Sequence, residues 1–259
     1  MGRDDCGIIL NRHKIMYNFD KVDLKYAFSA LSIMETGKRY FYEKTEHCVV
    51  EKVDNGYRFI WYGSDNEKMN GEPLDGADLA ANAMGKLGCP YIINLSPKME
   101  FLSFYNHEEM VKRYQKYIPQ LVKSFGSTKL IKDMAEQHYF TLSEKYGLLQ
   151  SFQFNPFCRY LFWNNENINE AAEVDNWPDP RNCISFYFEE KSVENGRHHY
   201  EMTRYKEWFH FPESETIDGK ASFDVVYAPD GLPLETEFKA RIEVRDKGFL
   251  VQEEKMARI

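Results

Sequence analysis

The chain has little of what usually announces a chemistry. Its five cysteines, Cys6, Cys48, Cys89, Cys158 and Cys183, are scattered and odd in number. None belongs to a CxxC or CxxH unit, so the ligand spacing of a zinc site is missing. Dispersed thiols fit a cytoplasmic protein with reduced, mostly buried cysteines. The alternative is a periplasmic or secreted chain whose leader has been removed, with one or two disulfides. There is no GxGxxG, no Walker A loop and no GxSxG elbow, so neither a nucleotide nor any other cofactor is expected. His107-Glu108-Glu109 lacks the second histidine of a zincin helix, and no metal is expected. The first twenty residues hold no apolar run long enough for a signal peptide or a membrane span. Excess positive charge is also missing. The balance of 33 Lys and Arg against 41 Asp and Glu, net −8, argues against nucleic acid or an anionic membrane as the main partner and suits a basic one.

Aromatic residues are plentiful, with 19 Phe and 17 Tyr in 259 residues. They favour strands and supply a sizeable core. The clearest strand signal lies near the C-terminus. Leu234, Thr236, Phe238, Ala240, Ile242 and Val244 alternate with Glu235, Glu237, Lys239, Arg241, Glu243 and Arg245. Such a strand has one face on a core and one in water. Pro229-Asp230-Gly231 and Asp246-Lys247-Gly248 supply turns on either side. Near the N-terminus the pattern predicts strands over residues 22–28, 38–53 and 57–62. Asp54-Asn55-Gly56 joins the last two as a type I′ hairpin loop. Polar residues from 63 to 74 read as a break. A short helix follows to Leu87, then strands over 91–95 and 99–105.

Two helices come next. Met110, Tyr114, Ile118, Leu121 and Phe125 stripe the first, in which Pro119 should kink the helix or end its first half. The second runs from Thr128 to about Tyr146. Phe152–Trp163, dense in aromatics, reads as a buried strand broken at Asn155-Pro156. Glu194-Asn195-Gly196 is another hairpin signal.

These signals make an α+β protein. Antiparallel β-meanders, read as two related halves, are curved into a half-barrel or clasp around a central helical hairpin. The segments are an N-terminal meander with a short helix over 1–106, the hairpin over 107–147 and a C-terminal antiparallel sheet over 148–259. The recurrence of Asn55-Gly56 as Asn195-Gly196, and of Ser96-Pro97 as Ala228-Pro229, suggests internal duplication. The alternative is convergence on limited turn chemistry.

Four features could carry function. His199 and Glu201 share a strand face and could act as an acid–base pair, or hold a metal with a third ligand. The bland alternative is an exposed polar strand. Cys48 could be a nucleophile only with a histidine in space. His47 points to the opposite face, which leaves His107, His138 or His210, and a buried structural thiol is the simpler reading. Residues 164–181 read as a long irregular acidic loop in which Glu170, Glu173, Asp175 and Asp179 surround Trp177; it could dock a basic partner with the indole as anchor. Finally, strand aromatics such as Trp61, Trp163, Trp208, Tyr40, Tyr42, Phe154, Phe157 and Tyr160 could line a concave pocket or simply form the core. The expected function is a non-catalytic binding protein that grips a protein partner or an apolar ligand. The alternatives are a hydrolase centred on His199 and Glu201, and a structural component of a larger or envelope assembly.

Overall fold

A computed structural model describes residues 17–34, 36–163, 171–175, 183–208, 216–244 and 248–259. The first described strand lies at the centre of a large antiparallel sheet, and the chain moves outward from it. Strands β1 (Lys21–Ile33), β2 (Arg39–Val53) and β3 (Gly56–Met69) form a meander. Next come the short β4 (Glu72–Pro73), helix α1 (Gly76–Lys86), and strands β5 (Tyr91–Leu95) and β6 (Phe101–Phe104). Four helices follow: α2 (His107–Ser124), α3 (Lys129–Ser143), α4 (Lys145–Phe154) and α5 (Pro156–Leu161). The chain re-enters the sheet at the far edge as β7 (Ala171–Asp175). It returns to the centre through β8 (Cys183–Glu194), β9 (Arg197–Trp208), β10 (Thr216–Tyr227), β11 (Pro233–Val244) and β12 (Gly248–Arg258). The order is β6-β5-β3-β2-β1-β12-β11-β10-β9-β8-β7, with β4 on β3, so the sheet is not closed into a barrel. The two meanders meet where β1 pairs with β12, from Tyr26 opposite Arg258 to Ile33 opposite Val251.

Period-two alternation sets one buried face along this whole sheet. Leu24, Tyr26 and Phe28 of β1 point the same way as Cys48 and Val50 of β2, and Phe238, Ala240 and Ile242 of β11 continue the face. The opposite face carries small ion pairs such as Arg58–Glu51 at 3.5 Å. At exposed positions these contribute little to stability. Helices cover the buried face. Phe157 of α5 packs edge-on against Tyr26, and Tyr160 stacks on Phe223 of β10 with centroids 5.3 Å apart. Phe152 of α4 meets Trp61, Tyr91 and Phe104. Helix α3 is tied to α2 by Tyr114 Oη, which donates to the Ala135 carbonyl at 2.9 Å. Helix α2 runs unbroken through Pro119.

Three sequence expectations need correction. Phe152–Trp163 is helical at its start and through α5, not a strand. Asn155 is an N-cap whose Oδ1 accepts from Phe157 N at 3.0 Å and Cys158 N at 3.4 Å, and Pro156 takes the first helical position. Asn-Pro is therefore a helix start here, and aromatic density misled because these rings face the sheet from a helix. Second, β3 does not end at Tyr62. It continues through the polar run 63–69, paired with β2 as far as Tyr42 opposite Met69. Left-handed φ values at Gly63 and Asn66 let the strand bend without losing its partner. Third, residues 171–175 of the acidic stretch form an edge strand on β8.

The two Asn-Gly turns also differ. Asn195 and Gly196 both have positive φ, as a type I′ loop requires. In the first turn the loop is Asp54-Asn55, and Gly56 already pairs with Val53. Gly56 has φ 146°, and a Cβ there would collide with the Leu95 carbonyl of β5. Glycine is required by close backbone approach, not by turn type. Gly56→Ala is therefore expected to lower stability by about 2–4 kcal/mol in urea unfolding. Gly196→Ala, with open space around it, is expected to cost only about 1–2 kcal/mol.

Candidate functional site

Residues of β2, β3 and β5 on the sheet side and of α1, α3 and α4 on the helical side line a cleft of about 330 Å³. This is near the lower end of small-molecule sites. One wall is aromatic. Trp61 lies against Tyr91 with ring centroids 5.6 Å apart, and Phe152 packs on both at 5.4 and 4.9 Å. Leu148 of α4 completes this wall. The Tyr91 ring is also anchored by chain geometry. Tyr91 Oη donates to the Gly85 carbonyl at 3.1 Å, and a Cβ at Gly88 would overlap the Tyr91 hydroxyl.

The other wall is ionic. Glu46, fully buried, accepts from Trp61 Nε1 at 2.7 Å. Its other oxygen lies 2.6 Å from Lys44 Nζ. That contact is ionic rather than a well-angled hydrogen bond, since Glu46 Oε1 has no hydrogen-bond partner. Lys44 is itself only 12% exposed and also lies over the rings of Phe28 and Tyr42. Further out, Tyr42 Oη donates to Glu67, and Lys86 sits 3.8 Å from Glu67 and 3.5 Å from Asp65. His138, Thr141 and Ser151 close the helical side. Burial lowers the His138 pKa below the usual histidine range, which keeps the imidazole neutral at pH 7.

Cys89 also lines the cleft, with its sulfur 3.0 Å from where a Gly63 Cβ would stand. Burial pushes its thiol up to about 12. A thiol so held is a weak nucleophile at neutral pH. Cys48 and Cys158 are buried, and desolvation holds both thiols well above their ordinary range. His47 lies on the opposite face from Cys48, 2.8 Å from Asp23 and stacked on Tyr62. His47 therefore cannot activate Cys48, and burial disfavours the thiolate a nucleophile would need.

The sequence-picked histidine pair lies elsewhere. His199 is on β9, with Nδ1 2.9 Å from Asp224 Oδ1 and Nε2 3.7 Å from Glu201 Oε1. Glu201 is exposed, His199 is partly exposed, and neither lines the cleft. Among the described residues, no group of three or more His, Cys, Asp or Glu side chains is placed to hold a metal ion. Glu173 and Asp175 lie on the edge strand β7. Glu170, Trp177, Asp179 and His210 lie outside the described residues. Of the aromatics singled out in the sequence, Tyr42 and Trp61 reach the cleft, whereas Phe157, Tyr160 and Trp163 are core. The ionic half of the site was missed because the polar run 63–69 reads as a loop. The alternation of Ser64 and Glu67 with exposed neighbours is broken by the bends at Gly63 and Asn66.

Among the described residues, no helix is long and apolar enough to cross a membrane. No protein-family model and no curated protein matches the chain. Among solved structures, a lipovitellin structure concerned with lipid–protein interactions aligns with a TM-score of 0.38 and 8% identity. The alignment covers 94% of this chain and 25% of that one.

Proposed function

We propose that this chain is a binding protein for a small amphipathic molecule, held between the sheet and the helices that cover it. The sheet acts as a half-barrel or clasp, and the helical hairpin as the cover. The observation that carries this reading is the cleft, with a continuous Trp61–Tyr91–Phe152 wall facing paired ionic groups. An apolar body and a polar end would each find a matching surface. The uncharged fluorophore N-phenyl-1-naphthylamine is expected to bind saturably, one per chain, with enhanced emission. Absence of saturable binding to the folded protein would refute the reading.

A second reading follows from His199. With Asp224 orienting one ring nitrogen and Glu201 near the other, the imidazole is arranged as an acid–base group on the sheet. This supports a hydrolase, and retained hydrolytic turnover in His199→Ala would remove it. The edge strand that carries Glu173 and Asp175 is where a basic protein partner would dock.

A further inference from the structure

The polar groups of the cleft wall divide into those already committed and those still available. Lys44 contacts Glu46, and Lys86 lies between Asp65 and Glu67. Trp61 Nε1 and Tyr42 Oη donate to the same two glutamates. Every formal charge on this wall therefore already faces the opposite charge within 4 Å. An ionised ligand would lose hydration on entry and meet no unpaired partner, unless it broke one of these pairs. The hydroxyls of Thr141 and Ser151 donate to the Gln137 and Leu148 carbonyls of their own helices, which leaves them as acceptors.

His138 differs from these groups. Its ring lies flat against Tyr114, with centroids 5.5 Å apart and planes at 14°, so its orientation is fixed by packing. Its Nδ1 is buried and has no hydrogen-bond partner on any other residue, its own backbone lying close to the ring, and its Nε2 is the nitrogen nearest Gly85 on the cleft wall. A neutral imidazole offers one donor and one acceptor. The Asn82 carboxamide, also on the wall, adds neutral polarity. The cleft thus pairs an apolar wall with neutral hydrogen-bonding groups, while its charges are mutually satisfied.

We infer that the cleft selects an uncharged amphipathic ligand with a hydroxyl head. The apolar body lies on the Trp61–Tyr91–Phe152 wall, and the hydroxyl exchanges a hydrogen bond with His138. This inference rests on the cleft being a ligand site. Burial supports it by disfavouring the imidazolium that would attract an anion.

The test is displacement of N-phenyl-1-naphthylamine at pH 7.5 by three ligands with one body: 4-phenylbutan-1-ol, 4-phenylbutylamine and 4-phenylbutyrate. The alcohol is expected to displace the probe at roughly tenfold lower concentration than either ion, about 1.4 kcal/mol. Any apolar site would discriminate against ions to some degree, so His138 variants decide the matter. His138→Phe and His138→Leu are taken in parallel so that a folding failure in one leaves the other, and each variant's own probe affinity is measured first so that displacement by the alcohol is read against it. The alcohol itself is expected to weaken about fivefold or more. His138→Gln, which keeps a donor and an acceptor, is expected to restore much of that loss. Equal or tighter displacement by the amine or the acid overturns the inference, as does undiminished alcohol binding without the imidazole. Either result can occur while the probe binds normally, which separates failure of this inference from failure of the cleft as a ligand site. A wild-type protein that binds no probe at all removes both.

Discussion

Glu254→Ala is expected to destabilise the protein by about 3–5 kcal/mol, the usual cost of leaving one partner of a buried ion pair alone. Glu254 is 3% exposed and stands at the middle of the buried sheet face. It accepts from Tyr160 Oη, from Arg159 Nη2 at 3.3 Å and from Gln252 Nε2 at 2.8 Å. Gln252 in turn accepts from Ser32 Oγ, which links β12 to β1 at the junction of the two meanders. The network thus docks α5 onto the seam of the sheet. Without the carboxylate, the Arg159 guanidinium and the Tyr160 hydroxyl stay buried with their main partner gone. Burial and the Glu254 charge together hold the Tyr160 phenol well above its ordinary range, so it is a donor at neutral pH. At this chain length the loss corresponds to a melting temperature lower by about 10 °C. The triple change Glu254→Leu, Arg159→Leu and Tyr160→Phe removes all three polar groups together. It is expected to recover part of the stability, because apolar replacement of a buried charged pair is often near neutral while the buried Gln252 amide still loses its acceptor. Calorimetry on the two variants checks both statements. A melting temperature unchanged in Glu254→Ala would mean that the network does not hold α5.

Thr141→Trp and Ser151→Trp are expected to reduce probe binding by at least about 100-fold while leaving the melting temperature within a few degrees. Thr141 on α3 and Ser151 on α4 face the cleft from its helical side, and neither is buried. An indole at either position fills much of a 330 Å³ space. It meets the Trp61 and Phe152 rings instead of the core, so overpacking strain is avoided. Binding and stability titrations on the same samples separate blockage from unfolding. Normal probe affinity in both variants would place binding outside the cleft.

Much of the fold was legible because strict alternation forces one face inward. The Leu234–Val244 pattern placed Phe238, Ala240 and Ile242 correctly, although Leu234 itself is exposed. The helix stripe from Met110 to Phe125 also held. What was not legible came from residues whose meaning depends on distant partners. Gly56 reads as a turn glycine, yet its constraint is the Leu95 carbonyl on another strand. Asn155-Pro156 reads as a strand breaker until the cap it forms is seen. The cleft was half visible. Trp61 and Tyr42 stood out as aromatics, but Lys44, Glu67 and His138 come from three elements that only the sheet and helix packing bring together. His199 and Glu201 were legible as neighbours, while Asp224 joins them through the pairing of β9 with β10.

The most direct measurement is the set of nuclear Overhauser contacts from N-phenyl-1-naphthylamine bound to the isotope-labelled protein. Contacts to the side chains of Trp61, Leu148 and Phe152 are expected. The helical surface also exposes Tyr117, Tyr139 and Phe140, where an apolar dye could adhere without entering the cleft. Contacts confined to those three residues would contradict the cleft as the binding site.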